Sequence, residues 1–329
     1  MIRVLYIGDP HATPGNLTEL DSLLSFIVQL IQERSIDRIV LLGDQFHTHA
    51  NVRLEVLEFW SKWLKKLSDT VETVALVGNH DMTGLKGSTS NAMSVFKDKA
   101  ELNKSLHIVE TFKALGPFLY AAYIHDSNEF IYKANQILEE NDSRVLVSHQ
   151  TYAGSQFENG FYAPDGVDPD KLNVGAIISG HIHRRQRFGK VIYPGTARWL
   201  TASDANEDKG LWLVEHDDIL GHIIEEEFIS TAHVCQPVRS VTWREGEEMP
   251  EIAPNSRTTV EMIGTSEWIK RSKTKLKGKV SIKTKITDHL KSANRKPGTS
   301  LADFINNTFD ISTGLSKEDL VQYMKELGF

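Results

Sequence analysis

Cysteine is nearly absent. Cys235 is the only one in 329 residues, so no disulfide can form within the chain, and a reducing cytosol is its natural home. Long apolar runs are missing as well. The most apolar helical stretch, Leu20 to Ile31, is interrupted by Asp21, Ser22, Ser25 and Gln29, and falls short of the roughly 18 residues a membrane span needs. The first apolar run begins at Ile2, so no signal peptide is expected. Neither an internal repeat nor a low-complexity tract is visible. With 40% hydrophobic and 25% charged residues the composition is that of a soluble globular protein, long enough for one large domain and a smaller one.

What the chain does have is a recurring unit. Five times a short apolar run ends in a small residue followed at once by a metal-type ligand. Ile2 to Ile7 leads to Gly8-Asp9 and His11, and Arg38 to Leu42 leads to Gly43-Asp44. Thr73 to Val77 leads to Gly78-Asn79-His80-Asp81, Arg144 to Val147 to Ser148-His149, and Val174 to Ser179 to Gly180-His181-Ile182-His183. Such runs, rich in Val, Ile and Leu, read as buried strands. In open α/β sheets ligands gather beyond the carboxyl ends of strands, so these five would deliver carboxylate, amide and imidazole groups to one rim of a sheet. Helical spacing predicts a helix from Leu17 to Glu33 and another from Val52 to Leu67. Further helices are expected at Ser90 to Lys99 and Asn128 to Glu140, which together give an α/β core. After His183, strands at Phe188 to Tyr193, Gly210 to Glu215 and Ile219 to Phe228 predict a second, more antiparallel sheet, with the first domain closing near Val241.

The ligand set suits two divalent ions about 3.5–4 Å apart. Asp9, His11 and His183 could hold one, and Asn79, His149 and His181 the other. Asp44, with two oxygens, would bridge them. The other histidines, His49, His107, His125, His216, His222, His233 and His289, read as structural, and Trp60 and Trp63 as core or dimer interface.

The formal charge of −7 is unevenly spread. Between Lys270 and Lys296 eleven basic residues face Asp288 alone, so that segment carries +10 and the remainder −17. A one-sided block of this kind suggests a polyanion surface. Beyond a linker at Pro250 to Pro254, strands at Thr258 to Ile263 and Lys279 to Ile286 flank a helix from about Ser266 to Lys275. This small α+β domain holds the basic block. A tail from Leu301 to Phe329 shows two helical stripes, the second opened by a capping box at Ser316 and Asp319.

Taken together, Asp9-x-His11, Gly43-Asp44, Gly78-Asn79-His80-Asp81, Ser148-His149 and Gly180-His181-x-His183 resemble the calcineurin-like metallophosphoesterase superfamily. Gly43-Asp44-Gln45-Phe46-His47, Tyr193-Pro194-Gly195-Thr196 and Lys209-Gly210 narrow the resemblance to the SbcD-type nuclease subunits of double-strand-break repair, of phage or bacterial kind. The resemblance implies an α/β fold: a two-sheet metallophosphoesterase sandwich flanked by helices, with a smaller α+β C-terminal cap domain. The division it implies is a nuclease domain over 1–241, a basic capping and DNA-contact domain over 255–297, and a helical tail over 298–329 that docks an SMC-like ATPase of SbcC type. It further implies a manganese-dependent deoxyribonuclease, exonucleolytic on double-stranded ends and endonucleolytic on single strands, acting in DNA recombination, repair and replication. The metal ligands would be Asp9, His11, Asp44, Asn79, His149, His181 and His183. His80 would protonate the leaving oxygen or stabilise the transition state, and His47 would help place the DNA strand. Asp81 would either orient the His80 ring or serve as a structural cap. The subunit would be a cytoplasmic homodimer with no membrane attachment, in a bacterial cell or a phage-infected host. The same centre would also suit a phosphatase or cyclic-nucleotide phosphodiesterase acting on small substrates, and a metal-free scaffold is the third reading.

Overall fold

The computed structural model describes residues 1–49, 51–84, 90–141, 143–276, 278 and 280–287. The expected tail over 298–329 lies outside the described residues, as do His289 and the basic residues Lys277, Lys279, Lys291, Arg295 and Lys296. The strands are β1 (Ile2–Ile7), β2 (Arg38–Leu41), β3 (Glu72–Leu76), β4 (Leu106–Val109), β5 (Phe112–Leu115), β6 (Phe118–Ala121), β7 (Val145–His149), β8 (Ala176–Gly180), β9 (Gln186–Phe188), β10 (Val191–Tyr193), β11 (Gly210–His216), β12 (Ile223–Ser230), β13 (Val238–Arg244), β14 (Arg257–Gly264) and β15 (Ser281–Ile286). The helices are α1 (Leu17–Arg34), α2 (Leu54–Ser68), α3 (Lys97–Leu102), α4 (Ser127–Glu140) and α5 (Ser266–Leu276).

Two six-stranded mixed sheets form the body. The first has the order β12-β11-β1-β2-β3-β4 and the second β5-β6-β7-β8-β10-β9. Strands β1 to β4 run parallel, as do β6, β7, β8 and β10, and the antiparallel pairings lie toward the edges. Side chains alternate across each strand with period two, and the two registers build separate cores. Val4, Tyr6, Val40, Val74 and Leu76 cluster with Phe118, Tyr120, Val145, Val147 and Ile178, which makes the layer between the sheets. The opposite register of the first sheet, Leu5, Ile7, Ile39, Leu41 and Ala75, packs against Leu20, Leu23, Leu24 and Ile27 of α1 and Trp60, Trp63, Leu64 and Leu67 of α2. On the far side of the second sheet Leu119, Ala121, Leu146 and Ile177 pack on Phe130, Ala134 and Leu138 of α4. This is the two-sheet sandwich flanked by helices that the resemblance implies, with a small C-terminal sheet in the order β13-β14-β15.

Four expectations need correcting. The five ligand-bearing runs do not end on one sheet: β1, β2 and β3 belong to the first, β7 and β8 to the second. Strands β11 and β12 return to the first sheet beside β1 rather than founding an antiparallel sheet of their own. Phe188 to Tyr193 is not one strand, because Gly189 turns the chain (φ 51°) and splits it into the β9–β10 hairpin. The helix expected over Ser90 to Lys99 is instead a 3₁₀ stretch, Ala92–Phe96, followed by α3.

The described residues form two compact units, 1–241 with 251–259, and 242–250 with the described residues from 260 to 287. In the second, α5 buries Trp268, Ile269, Ser272 and Leu276 and leaves Lys270, Arg271, Lys273 and Lys275 exposed. No helix among the described residues is long and apolar enough to cross a membrane.

Trp60 and Trp63 are fully buried core residues. The Trp60 indole N–H also donates to the Gln45 carbonyl at 3.0 Å, which ties α2 to the turn after β2. Trp60→Ala is expected to cost about 3–5 kcal/mol of stability, read from urea unfolding. A loss below about 1 kcal/mol would contradict this packing.

Candidate metal centre

Each strand that feeds the site ends in a residue too small to obstruct the next. A methyl group on Gly43 would overlap the His149 ring, and one on Gly78 would overlap the Asp44 carboxylate. Glycine is therefore required by close approach, and at Gly43 also by φ of 110°. The residues that follow make sharp turns. Asp9 (φ 37°), His11 (46°), Asp44 (53°) and His181 (84°) all lie in the left-handed region. Four such residues at one place cost on the order of 1–3 kcal/mol each and persist only where the surroundings over-determine them. Here the ties are visible. His11 N–H donates to Asp44 O and Ala12 N–H to Gln45 O, both at 2.9 Å, while His181 N–H donates to Asp9 Oδ1 at 2.9 Å.

All nine side chains expected at the site come together. Asn79 Oδ1 lies 3.0 Å from His149 Nε2 and 2.7 Å from His181 Nδ1. His11 Nε2 faces His183 Nε2 at 3.2 Å. Asp44 stands between these groups, with Oδ1 at 3.3 Å from His149 Nε2 and Oδ2 at 3.5 Å from His11 Nε2. Asp9 Oδ1 is 3.5 Å from His149 Nδ1, and Asp9 Oδ2 is buried without a hydrogen-bond partner. His47 Nδ1 approaches His11 Nδ1 at 3.4 Å, and the His47 and His80 rings stack at 5.7 Å.

Hydrogen bonds settle several orientations. A carbonyl oxygen can only accept, so His80 Nδ1–H donates to His47 O (2.7 Å) and Nε2 is left for other work. By the same logic His149 Nδ1–H donates to Leu42 O (2.7 Å), and its Nε2 points at Asn79 and Asp44. The Asp81 carboxylate accepts from the backbone N–H groups of Phe46 and Gly78, each at 2.8 Å. It cross-ties two ligand loops; the His80 ring is oriented by the His47 carbonyl instead.

Four residues at the site carried no signal in the sequence. His49 stacks on His80 at 4.3 Å and reaches Asn79 O with Nδ1 (2.9 Å), although its sequence context reads as structural. Glu158 accepts from the His183 N–H at 2.8 Å. Tyr123 sets its ring 5.7 Å from that of His181. Buried Arg198 donates to the carbonyls of Pro10 and His11 and pairs with Glu19 at 2.9 Å, so it holds the Asp9–His11 turn from behind. Only His49, two residues from His47, stood where spacing alone could have raised it.

Charge is crowded here. Burial pushes the Asp44 carboxyl up, but the imidazoles of His149 and His11 outweigh it and hold it well below the usual range. Asp9 is raised, by burial first and by Asp44 as well. Burial lowers His149, yet Asp44 and Asp9 more than reverse this and raise it to about 9. Burial and the neighbouring His149 push His181 down to about 3. Burial drives His11 well down too. Three triads of ligand atoms lie mutually within 4.8 Å: Asp9–His11–Asp44, Asp44–His149–His181 and His11–His47–His80. Facing ring nitrogens, two buried carboxylates and the orphaned Asp9 Oδ2 are the donor set of a dimetal site, and imidazole, carboxylate and amide together suit Mn, Fe or Zn.

The sequence profile of the calcineurin-like phosphoesterase family matches residues 2–185, more than half of the chain. Among curated proteins, 244L of Invertebrate iridescent virus 6, a phosphoesterase by name, is 28% identical over 66% of this chain and 77% of its own length. The DNA double-strand break repair protein Mre11 of Methanopyrus kandleri is 28% identical over 62% of this chain and 50% of its own. Exonuclease subunit 1 of Enterobacteria phage T4 is 24% identical over 57% of this chain and 56% of its own. The chain thus spans about half the length of the two relatives named for DNA work.

With its pKa raised to about 9, His149 holds at pH 7 a proton that a cation must displace from Nε2. Apparent Mn²⁺ affinity should therefore weaken about tenfold per pH unit below that value, about a hundredfold from pH 8 to pH 6 for this proton alone. Titration calorimetry in two buffers of different ionisation enthalpy reads the released proton. An affinity flat across that range would show that His149 carries no proton for the cation to displace.

Proposed function

The chain belongs to the calcineurin-like phosphoesterase family, and from that premise we propose that it is a dimetal-dependent DNA nuclease, the catalytic subunit of an SbcC–SbcD-like repair and recombination complex. In this reading Asp9, His11 and His183 would hold one ion, Asn79, His149 and His181 the other, and Asp44 would be shared between them. Two divalent cations, when bound, make water acidic enough to attack phosphorus at neutral pH and neutralise charge on the phosphate oxygens. The chain's own contribution is placement and proton transfer. Asp44 is held by the His80 backbone N–H at 2.8 Å. The His80 ring, anchored through Nδ1, presents Nε2 to the departing oxygen as general acid. His47, stacked with His80, steers the strand.

The observation that carries DNA rather than a small ester is the cationic face of the second unit. Lys270, Arg271, Lys273 and Lys275 of α5 and Lys283 and Lys285 of β15 are exposed, and no carboxylate pairs with any of them among the described residues. A small-substrate phosphatase has no use for such a surface, whereas a polyanion does. The similarity to a phage exonuclease subunit and a break-repair protein supports the same reading, and the basic block would be its DNA-contact region. An SMC-like ATPase partner, a homodimer and manganese as the metal belong to this proposal as well.

Linear duplex and single-stranded DNA with Mn²⁺ should be degraded, and nitrophenyl phosphates hydrolysed weakly. Turnover of the nitrophenyl esters alone would end the nuclease reading in favour of the phosphatase. Asp44→Ala should lose bound metal and activity together. His80→Ala should retain metal while cleavage falls roughly 10²–10⁴-fold, and near-normal turnover would remove His80 from the chemistry. DNA affinity should drop steeply with salt, and a flat response would reassign the basic face.

A further inference from the structure

The loop between β7 and β8 bends into a small hairpin that the expected chemistry does not use. Gln156 bridges Tyr162, Phe157 N–H donates to Phe161 O at 2.8 Å, and Gly160, at φ 86°, makes the turn. The hairpin is fastened to the segment that follows His181-x-His183. Gln156 N–H donates to Gln186 Oε1 at 2.8 Å, Arg184 donates to Gln156 Oε1 at 2.9 Å, and Glu158 accepts from the His183 N–H. This tethered hairpin carries two large rings in the open: Phe161 is 71% exposed and Tyr162 67%. Neither joins a hydrophobic cluster, and neither makes a ring contact among the described residues. Adjacent exposed aromatic residues on an ordered mount cost solvation and contribute nothing to the core, which marks a binding surface.

Position says what binds. The Glu158 side chain touches the backbone of His183, and three or four residues of chain reach at most roughly 14 Å from the Glu158 backbone. That is about four nucleotides of stacked strand at 3.4 Å each. Arg185, exposed in the same segment and resting over the Phe228 ring at 4.2 Å, gives a cation for a phosphate backbone beside rings for its bases. We propose that Phe161 and Tyr162 form a stacking platform for the unpaired bases flanking the phosphodiester to be cut, and so favour single-stranded or frayed DNA. This deepens the nuclease reading and rests on it. Stacking tolerates any base, since every base has a π face, and it fails on a strand without bases.

The test uses the full chain with Mn²⁺ and two oligonucleotides of one length, a mixed-sequence single strand and the same strand carrying a run of abasic tetrahydrofuran residues. Wild-type protein should show KM about tenfold lower on the base-bearing strand. The double variant Phe161→Ala, Tyr162→Ala should raise KM on that strand about tenfold and erase the difference between the two. The aromatic exchange Phe161→Tyr, Tyr162→Phe should restore it. Quenching of 2-aminopurine next to the cleavage position should weaken in the alanine variant alone. Unchanged KM in the alanine variant, as when the rings serve a protein partner, would overturn the platform, and so would equal losses on both strands. If wild-type protein cuts neither strand yet hydrolyses nitrophenyl phosphodiesters, the nuclease reading itself fails and the platform falls with it.

Discussion

The structure turns on one constraint: two carboxylates, four imidazoles and an amide must meet at one largely buried point. Asp9, Asp44 and His149 are almost wholly buried, where an unpaired charge is very costly. Side chains cannot reach such a point from extended strands, because successive residues point to opposite faces. After β1, β2 and β8 the chain solves this by ending the strand with a left-handed residue. Asp9, His11, Asp44 and His181 are all of this kind, and both Asp and His tolerate the region better than branched residues do. The strain is held by reciprocal ties between loops. Asp81 links the turns after β2 and β3, Asp9 caps the His181 N–H, and Arg198 grips the carbonyls of Pro10 and His11.

Those ties leave the centre electrostatically unfinished. Asp44 is pulled down and His149 pushed up by one another, the behaviour of a pair sharing a proton in the dry. That proton stands in for one positive charge, while Asp9 Oδ2 still lacks a partner. Cations would satisfy both needs at once, since carboxylate oxygens and unprotonated ring nitrogens are their ordinary ligands. An ion would thus complete a site whose geometry is already set by the backbone, and loading and proton release would be two sides of one equilibrium.

This division explains what the sequence could tell. A strand end, a small residue and a ligand leave a local signature, because the glycine is demanded by the ligand of a neighbouring strand: Gly43 by His149, Gly78 by Asp44. The helices α1, α2 and α4 announce themselves through apolar spacing for the same local reason. Pairing between distant segments leaves no such trace. That β11 returns to β1 across two hundred residues, or that β7 and β8 belong to a second sheet, is decided by long-range register. Strands β4, β5 and β6 are only four residues each and passed unread. Glu158, Arg198 and Tyr123 act through backbone contacts or ring edges, and no motif encodes those.

Charge distribution adds a last step on the nuclease reading. Outside the basic block the chain carries a formal −17, and two buried carboxylates, Asp9 and Asp44, stand in the ligand cluster. A polyanion has no reason to approach that centre until its charge is reversed. Two divalent ions bring four positive charges to one spot, the largest local change available to the molecule. Metal loading would therefore control entry of the substrate as well as its hydrolysis. The exposed lysines of α5 and β15, held on a separate compact unit, would bind nucleic acid whether or not the centre is filled. Affinity from the basic unit and catalysis from the ligand cluster are in this way physically separable, the first governed by salt and the second by metal and pH.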